Sequence, residues 1–215
     1  MKNKKKPFNF ERLFFSLVNN VLNFLYLSIK FSMKKSIILN SNQLKITVER
    51  LACQLIEKHD DFSNTILVGL QPRGKYLCKK IVEILKSEYN IDNLKYGLLD
   101  ITFYRDDFRR NEKILEPSKT DFILSVENKN IVFIDDVLFT GRTVRAALTA
   151  IESFGRPKSI ELLILIDRRF SRELPIQPDY KGLQVDVYDN QKVLVEWSDE
   201  SKNEYAYITT INNHE

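Results

Sequence analysis

Between residues 33 and 215, short apolar runs alternate with stretches of helical period. Segments 65–70 (TILVGL), 130–135 and 159–166 are apolar on successive positions, which is the pattern of strands covered on both faces. The stretches between them repeat their apolar residues every three or four positions. In 42–59, Leu44, Val48, Leu51, Ala52 and Leu55 share one face, and Ser41 is placed to cap the helix start. In 75–89 the inward set is Leu77, Ile81, Ile84 and Leu85, and in 141–154 it is Val144, Ala147, Leu148 and Ile151. Further strands are expected at 96–104 and 122–126, a charged loop at 105–119, and turns with short strands over 172–210. The fold class is therefore α/β, a central, mostly parallel sheet flanked by helices, with 130–135 at its centre. Ligands of such sheets bind at the carboxyl ends of the strands. Three segments of unusual composition follow strands there: 71–74, 135–143 and 167–172.

Composition narrows the chemistry. The 215 residues suit one domain, or one domain with an appendage, and 43% hydrophobic content excludes a disordered chain. Two cysteines, Cys53 and Cys78, exclude a disulfide framework and a cysteine-rich zinc site. Both fall on expected helices and are read as reduced core or boundary residues. Two histidines, His59 and His214, argue against a histidine triad or metal cluster. His59, at a helix end, is read as a cap, and Trp197 as packing. Carboxylates, Lys and Arg, hydroxyls and backbone must carry the chemistry.

The net charge of +4 is unevenly spread. Residues 1–32 carry six basic side chains and one acid, whereas the other 183 residues hold 27 basic and 28 acidic ones. The body thus has no excess that advertises nucleic-acid binding. The expected division is an N-terminal extension, 1–32, and a domain, 33–215, that folds without it. From Leu13 to Phe31, 13 of 19 residues are apolar, but the longest unbroken run is four, far short of the roughly 20 of a membrane span. The extension has no Ala, Gly or Asp. Three readings stand: translated sequence upstream of a start at Met33, an amphipathic membrane-surface anchor, or a targeting segment. No membrane contact is expected unless the extension is native.

The distinctive chemistry lies in 131–143, Ile-Val-Phe-Ile-Asp-Asp-Val-Leu-Phe-Thr-Gly-Arg-Thr. Asp135 and Asp136, at a strand end, can accept hydrogen bonds from two vicinal hydroxyls. Thr140, Gly141, Arg142 and Thr143 open a helix, where backbone N–H groups, two hydroxyls and the helix dipole make a phosphate cup. Acids for a ribose diol beside a cup for its 5′-phosphate describe a ribose-5-phosphate site.

This segment resembles the PRPP-binding signature of type I phosphoribosyltransferases. Together with Asp100-Ile-Thr-Phe-Tyr-Arg-Asp-Asp107, Gly155-Arg-Pro157 and Arg172-Glu-Leu-Pro-Ile-Gln-Pro-Asp-Tyr180, it looks like the PyrR family. Those proteins are uracil phosphoribosyltransferases, several of which also regulate pyrimidine operons by binding mRNA. The resemblance covers roughly 36–197. It implies the type I phosphoribosyltransferase fold with a flap and a small hood, a cytoplasmic location, a homo-oligomer, and PRPP and uracil as small-molecule partners. It also implies Mg²⁺ brought through PRPP, with no dedicated protein ligands.

By motif, Asp135 and Asp136 would hold the ribose hydroxyls and Thr140–Thr143 the 5′-phosphate. Arg73 and Gly74, in the turn Gln71-Pro72-Arg73-Gly74, would meet pyrophosphate, with a cis Gln71–Pro72 bond, cheap at about 0.5–1 kcal/mol. Tyr104-Arg105-Asp106-Asp107 would start a flap over roughly 103–124, with Arg105 reaching pyrophosphate or ribose, and Asp135, Asp136 and Arg105 would be the catalytic set. Val137, Phe139, Asp167, Arg168, Arg169 and Phe170 would surround the base. The family more often reads Asp-Arg-Gly-His where this chain has Asp167-Arg168-Arg169-Phe170. Phe170 would stack on the base or pack. Phe139 stands where hypoxanthine–guanine enzymes of this fold place an Asp, which disfavours 6-oxopurines. Two alternatives stay open: a UMP-sensing RNA-binding attenuator with little catalysis, and a purine phosphoribosyltransferase. Basic candidates for RNA contact are Lys75, Lys79, Lys80, Arg142, Arg145, Arg156 and Lys158.

Overall fold

The structure, a computed structural model, describes residues 35–105, 124–188, 190–198 and 204–210. The N-terminal extension and most of the expected flap, 106–123, lie outside the described residues. In chain order the elements are β1 (Ser36–Leu39), α1 (Ser41–His59), β2 (Thr65–Leu70), α2 (Gly74–Ser87), β3 (Lys95–Leu99), β4 (Asn130–Leu138), α3 (Arg142–Ile151), β5 (Ser159–Arg169), β6 (Tyr180–Asp186), β7 (Gln191–Glu196) and β8 (Tyr205–Thr210). Single 3₁₀ turns occupy Thr102–Tyr104 and Glu152–Phe154.

Five strands form a sheet in the order β3-β2-β4-β5-β6, every neighbouring pair parallel. The apolar run in β4 sits at its centre, as its lack of alternation requires. Side chains of successive residues serve opposite faces. Val132 and Ile134 join Leu67, Leu163 and Leu165 in one core with the apolar faces of α1 and α2. Ile131 and Phe133 join Ile66, Val68 and Ile164 in a second core with α3. A separate antiparallel sheet, β1-β8-β7, pairs the start of the domain with its end. Among the described residues no helix is long and apolar enough to cross a membrane.

Several boundaries differ from the sequence expectation. The cap of α1 is Asn40, not Ser41. Its side chain accepts from Gln43 N at 3.0 Å while Gln43 Oε1 accepts from Asn40 N, a reciprocal box, and the Ser41 hydroxyl instead donates to Glu204 O at 2.7 Å. The strand expected over 96–104 stops at Leu99, because Asp100 accepts from both N–H and hydroxyl of Thr102 and folds the chain into a turn. Residues 124–126 form no strand, although Val126 is buried and its N–H donates to Phe154 O. Strands β4 and β5 run three residues beyond their expected ends. The helix expected to reach 154 ends at Ile151, and a 3₁₀ turn leads into Gly155 at φ 124°.

His59 is not a cap. The N–H of Asp60 closes α1 on Ile56 O, and the imidazole lies buried at the amino edge of the sheet. There Nδ1 meets Thr65 Oγ1 at 3.1 Å, and Nε2 meets Glu161 and Tyr180 at 3.2 and 3.1 Å. Cys78 is fully buried, and loss of water pushes its thiol up to about 12. Trp197 stacks on Tyr76, ring centroids 6.3 Å apart.

Candidate active site

The acid pair lies on β4 at the carboxyl edge of the sheet, with only two residues of strand beyond it. Both carboxylates are nearly buried, and Asp135 Oδ1 accepts the Asp136 N–H at 2.9 Å. Burial first, and then the Asp136 charge, raise the pKa of Asp135 well above the ordinary carboxylate range. Arg73 and Arg105 pull in the other direction without cancelling this. Gly74 is what allows α2 to start here. A Cβ on it would stand 2.2 Å from Ile134 O and 3.0 Å from Asp135 Cα, so any side chain would push the helix off the acid pair.

Arg73, just before α2, donates through Nε to Asp136 Oδ2 at 2.8 Å and through Nη2 to the carbonyl of Val195 in β7. It therefore joins the acid pair to the small antiparallel sheet. The Gln71–Pro72 bond beside it is cis, as expected from the sequence.

The phosphate loop follows β4. Gly141 is the N-cap of α3 at φ 95°, a conformation that strains any residue with a Cβ. Thr140 Oγ1 accepts from Arg142 N at 3.4 Å, and Arg142 is drawn outward by Glu173 at 2.6–2.7 Å. A cavity of about 270 Å³ runs over Thr140–Thr143 and is closed by Arg105, Asp135, Phe139 and Glu173. It adjoins a cleft of about 310 Å³ bounded by Gln71, Pro72 and Arg73, by the acid pair, and by Arg168. Arg105, Asp135, Val137, Phe139 and Thr143 line both. The expected ribose, phosphate and pyrophosphate residues are thus brought together, with Gly74 packed behind the acids.

The residues expected around the base divide. Arg168 is buried in the cleft wall with its guanidinium carbon 4.0 Å from the centroid of the Phe139 ring. Asp167, Arg169 and Phe170 are not in that cleft but line a neighbouring cavity of about 760 Å³. The cause is strand geometry. Because β5 continues through Arg169, Asp167 and Arg169 take one face and Arg168 the other. Arg169 forks onto Asp186 of β6. Phe170 lies outside the cleft, 84% exposed at φ 61°, with the Arg169 guanidinium carbon 5.0 Å from its ring centroid.

Sequence reasoning missed Lys192, Val193 and Leu194, which β7 contributes to the cleft wall. Their local pattern is that of an ordinary strand. Glu173 was also missed, although it stands in a motif the sequence singled out. The basic candidates for RNA contact lie apart: Lys75, Lys79 and Lys80 are on α2, which packs on one face of the sheet, and Arg142 and Arg145 on α3, which packs on the other. Lys80 is paired with Glu204.

The phosphoribosyl transferase domain model matches residues 35–202. Relatives named bifunctional protein PyrR match most of the chain. That of Picosynechococcus is 42% identical over 76% of this chain and 92% of its own. That of Haemophilus ducreyi is 44% identical over 75% and 89%, and that of Bacillus subtilis 36% over 81% and 97%. Among solved structures, a Bacillus anthracis hypoxanthine-guanine phosphoribosyltransferase superposes with a TM-score of 0.61 at 15% identity, covering 84% of this chain and 99% of that one. A Staphylococcus aureus hypoxanthine phosphoribosyltransferase does so at 0.58 and 19%, covering 86% and 96%. At these identities the structural likeness speaks to the fold alone.

Proposed function

The chain belongs to the phosphoribosyl transferase family and, within it, to the PyrR proteins, and from that premise we propose that it converts uracil and PRPP to UMP and pyrophosphate. The observation that carries the reading is a pair of adjoining cavities, sharing five lining residues, in which Asp135 and Asp136 stand beside the loop that opens α3. The carboxylates would accept hydrogen bonds from the ribose 2′- and 3′-hydroxyls. The Thr140–Thr143 loop would take the 5′-phosphate through N–H groups, hydroxyls and the helix dipole. Arg73 and Arg105 face the space left for the leaving group.

In the reaction, a bond forms from the uracil ring nitrogen to C1 of the ribose. The bond from C1 to the pyrophosphate oxygen breaks with its electron pair going to pyrophosphate, and the ring proton passes to solvent. Positive charge builds on the sugar and negative charge on pyrophosphate. This chain's part is to align the two groups, offset the charge with arginines and exclude water. Arg168, held against the Phe139 ring in the cleft wall, would donate to a carbonyl of the base.

Mg²⁺ suits this donor set. Asp135 and Asp136 put carboxylate oxygens on the wall to which PRPP would bring the ion, and among the described residues no group of three acidic, His or Cys side chains is placed to hold a metal. An ion arriving on PRPP would take most of its oxygens from ligand and water and would neutralise the diphosphate. The two thiols, both free, suit a reducing cytoplasm. We place the activity in residues 33–215 and expect a homo-oligomer.

The test is UMP formation with PRPP, Mg²⁺ and each base in turn, beside an Asp135→Asn/Asp136→Asn variant. Uracil turnover that falls by at least about 10²-fold in the variant is expected. Turnover of guanine or adenine instead would overturn the base assignment. The second reading, regulation through RNA, draws on the word bifunctional in the relatives' name. It gains if the folded protein binds UMP without turnover and binds RNA with steep salt dependence.

A further inference from the structure

Residues 172–176 have no part in the reaction just described and belong to no helix or strand. They nevertheless hold the phosphate loop from outside. The N–H groups of Glu173 and Leu174 both donate to Thr140 O, at 3.1 and 3.3 Å. The Glu173 carboxylate takes Arg142. Leu174 and Ile176 close over Gly141, where an added methyl group would stand 3.2 Å from Ile176 Cδ1.

Arg172 reaches further. Its Nη1 donates to the carbonyl of Phe139, and its Nη2 donates to the Asp167 carboxylate. Asp167 is 4% exposed, and its other oxygen accepts from Gln184 Nε2 at 3.3 Å. One side chain therefore joins the end of β5 to the peptide that leads into Thr140. That peptide sets the direction of the loop N–H groups, and a seat built from backbone donors binds in proportion to how well they are aimed before the ligand arrives.

We propose that Arg172 is a positioning residue: its guanidinium fork locks the phosphate loop to β5 and so sets the affinity for the 5′-phosphate end of PRPP and UMP. The proposal rests on the reading of the cleft as a PRPP site, but not on which base is used.

Arg172→Lys in the full chain isolates the fork. Lysine keeps a cation beside the buried Asp167, yet a single ammonium cannot serve a carboxylate and a carbonyl in one fixed plane. The expected result is a rise of about tenfold in KM for PRPP and a matching loss of UMP affinity by calorimetry, with kcat changed by less than about twofold. Arg50→Lys is the control. It alters an arginine of α1 whose Nη2 donates to the carbonyls of both Lys181 and Gly182 and which lines neither cavity of the site, and it is expected to change neither constant. Wild-type KM and UMP affinity in Arg172→Lys would overturn the proposal, and so would a parallel fall of kcat and melting temperature with KM unmoved. PRPP and UMP binding without turnover of any base would remove the uracil-transfer reading alone, and the fork would then be judged on binding. A wild-type chain that bound neither ligand would remove both.

Discussion

Asp135 is placed where its charged form is poorly hydrated and faces a second carboxylate. The folded chain therefore binds the Asp135 proton more tightly than the unfolded chain, whose carboxyl titrates near about 4. Between that value and the raised one, stability falls as pH rises. Asp135→Asn keeps an oxygen for the Asp136 N–H and removes this loss. The ligand-free variant should melt above the wild type at pH 8, and the gap should narrow toward pH 4 while turnover is abolished. A variant that melts lower at every pH would show that the carboxylate is needed for structure rather than for ligands. Gly74 and Gly141 tell a related story at single positions. The first lets a helix touch the strand that bears the acids, and the second supplies the positive φ from which the loop turns into α3.

Among the elements, α1, β2, β5 and β6 are tied at the amino edge of the sheet by His59, Thr65, Glu161, Tyr180 and Lys58. Burial holds His59 below its ordinary pKa despite the neighbouring Glu161. Burial pushes Glu161 up, but the Tyr180 hydroxyl and Lys58 outweigh it and hold this carboxyl low. Both shifts act in the same direction. The unfolded chain takes up protons more readily than the folded one, so stability is lost as pH falls below about 6.5 for the histidine and below about 4.3 for the glutamate. His59→Gln should flatten the first of these losses, read as the pH dependence of the urea midpoint between pH 5 and 7. An unchanged slope would remove His59 as its source. The helix α1 and the inner strands β2 and β5 of this network were legible from their period alone, since Leu44, Leu51 and Leu55 or Ile66–Leu70 mark their burial without reference to anything distant. Boundaries were less legible. The exact cap of α1 depended on which of Asn40 and Ser41 found a local partner, and the Ser41 hydroxyl was drawn away by Glu204, 163 residues along the chain.

For the whole molecule, the cleft is completed only when β7 is folded against the carboxyl edge of the main sheet, and β7 is placed there by pairing with β8, which in turn pairs with β1. Lys192 of β7 brings an exposed cation to the mouth of the cleft. Lys192→Ala should therefore raise KM for PRPP by about three- to tenfold and leave the melting temperature within about 2 °C, as an exposed side chain should. An unchanged KM would place the lysine outside the ligand's reach. The acid pair, the loop that opens α3 and the succession of inner strands and helices along the chain were determined by the sequence itself, because each depends on residues a few positions apart whose relative geometry the backbone already constrains. Tertiary structure alone decided that Arg168 and not Asp167, Arg169 or Phe170 faces the cleft, that Arg73 is shared between Asp136 and Val195, and that Arg172 reaches the phosphate loop. Those outcomes depend on where β5 stops and on which distant strand lies beside it, and both are set by packing across the fold and not by any local pattern.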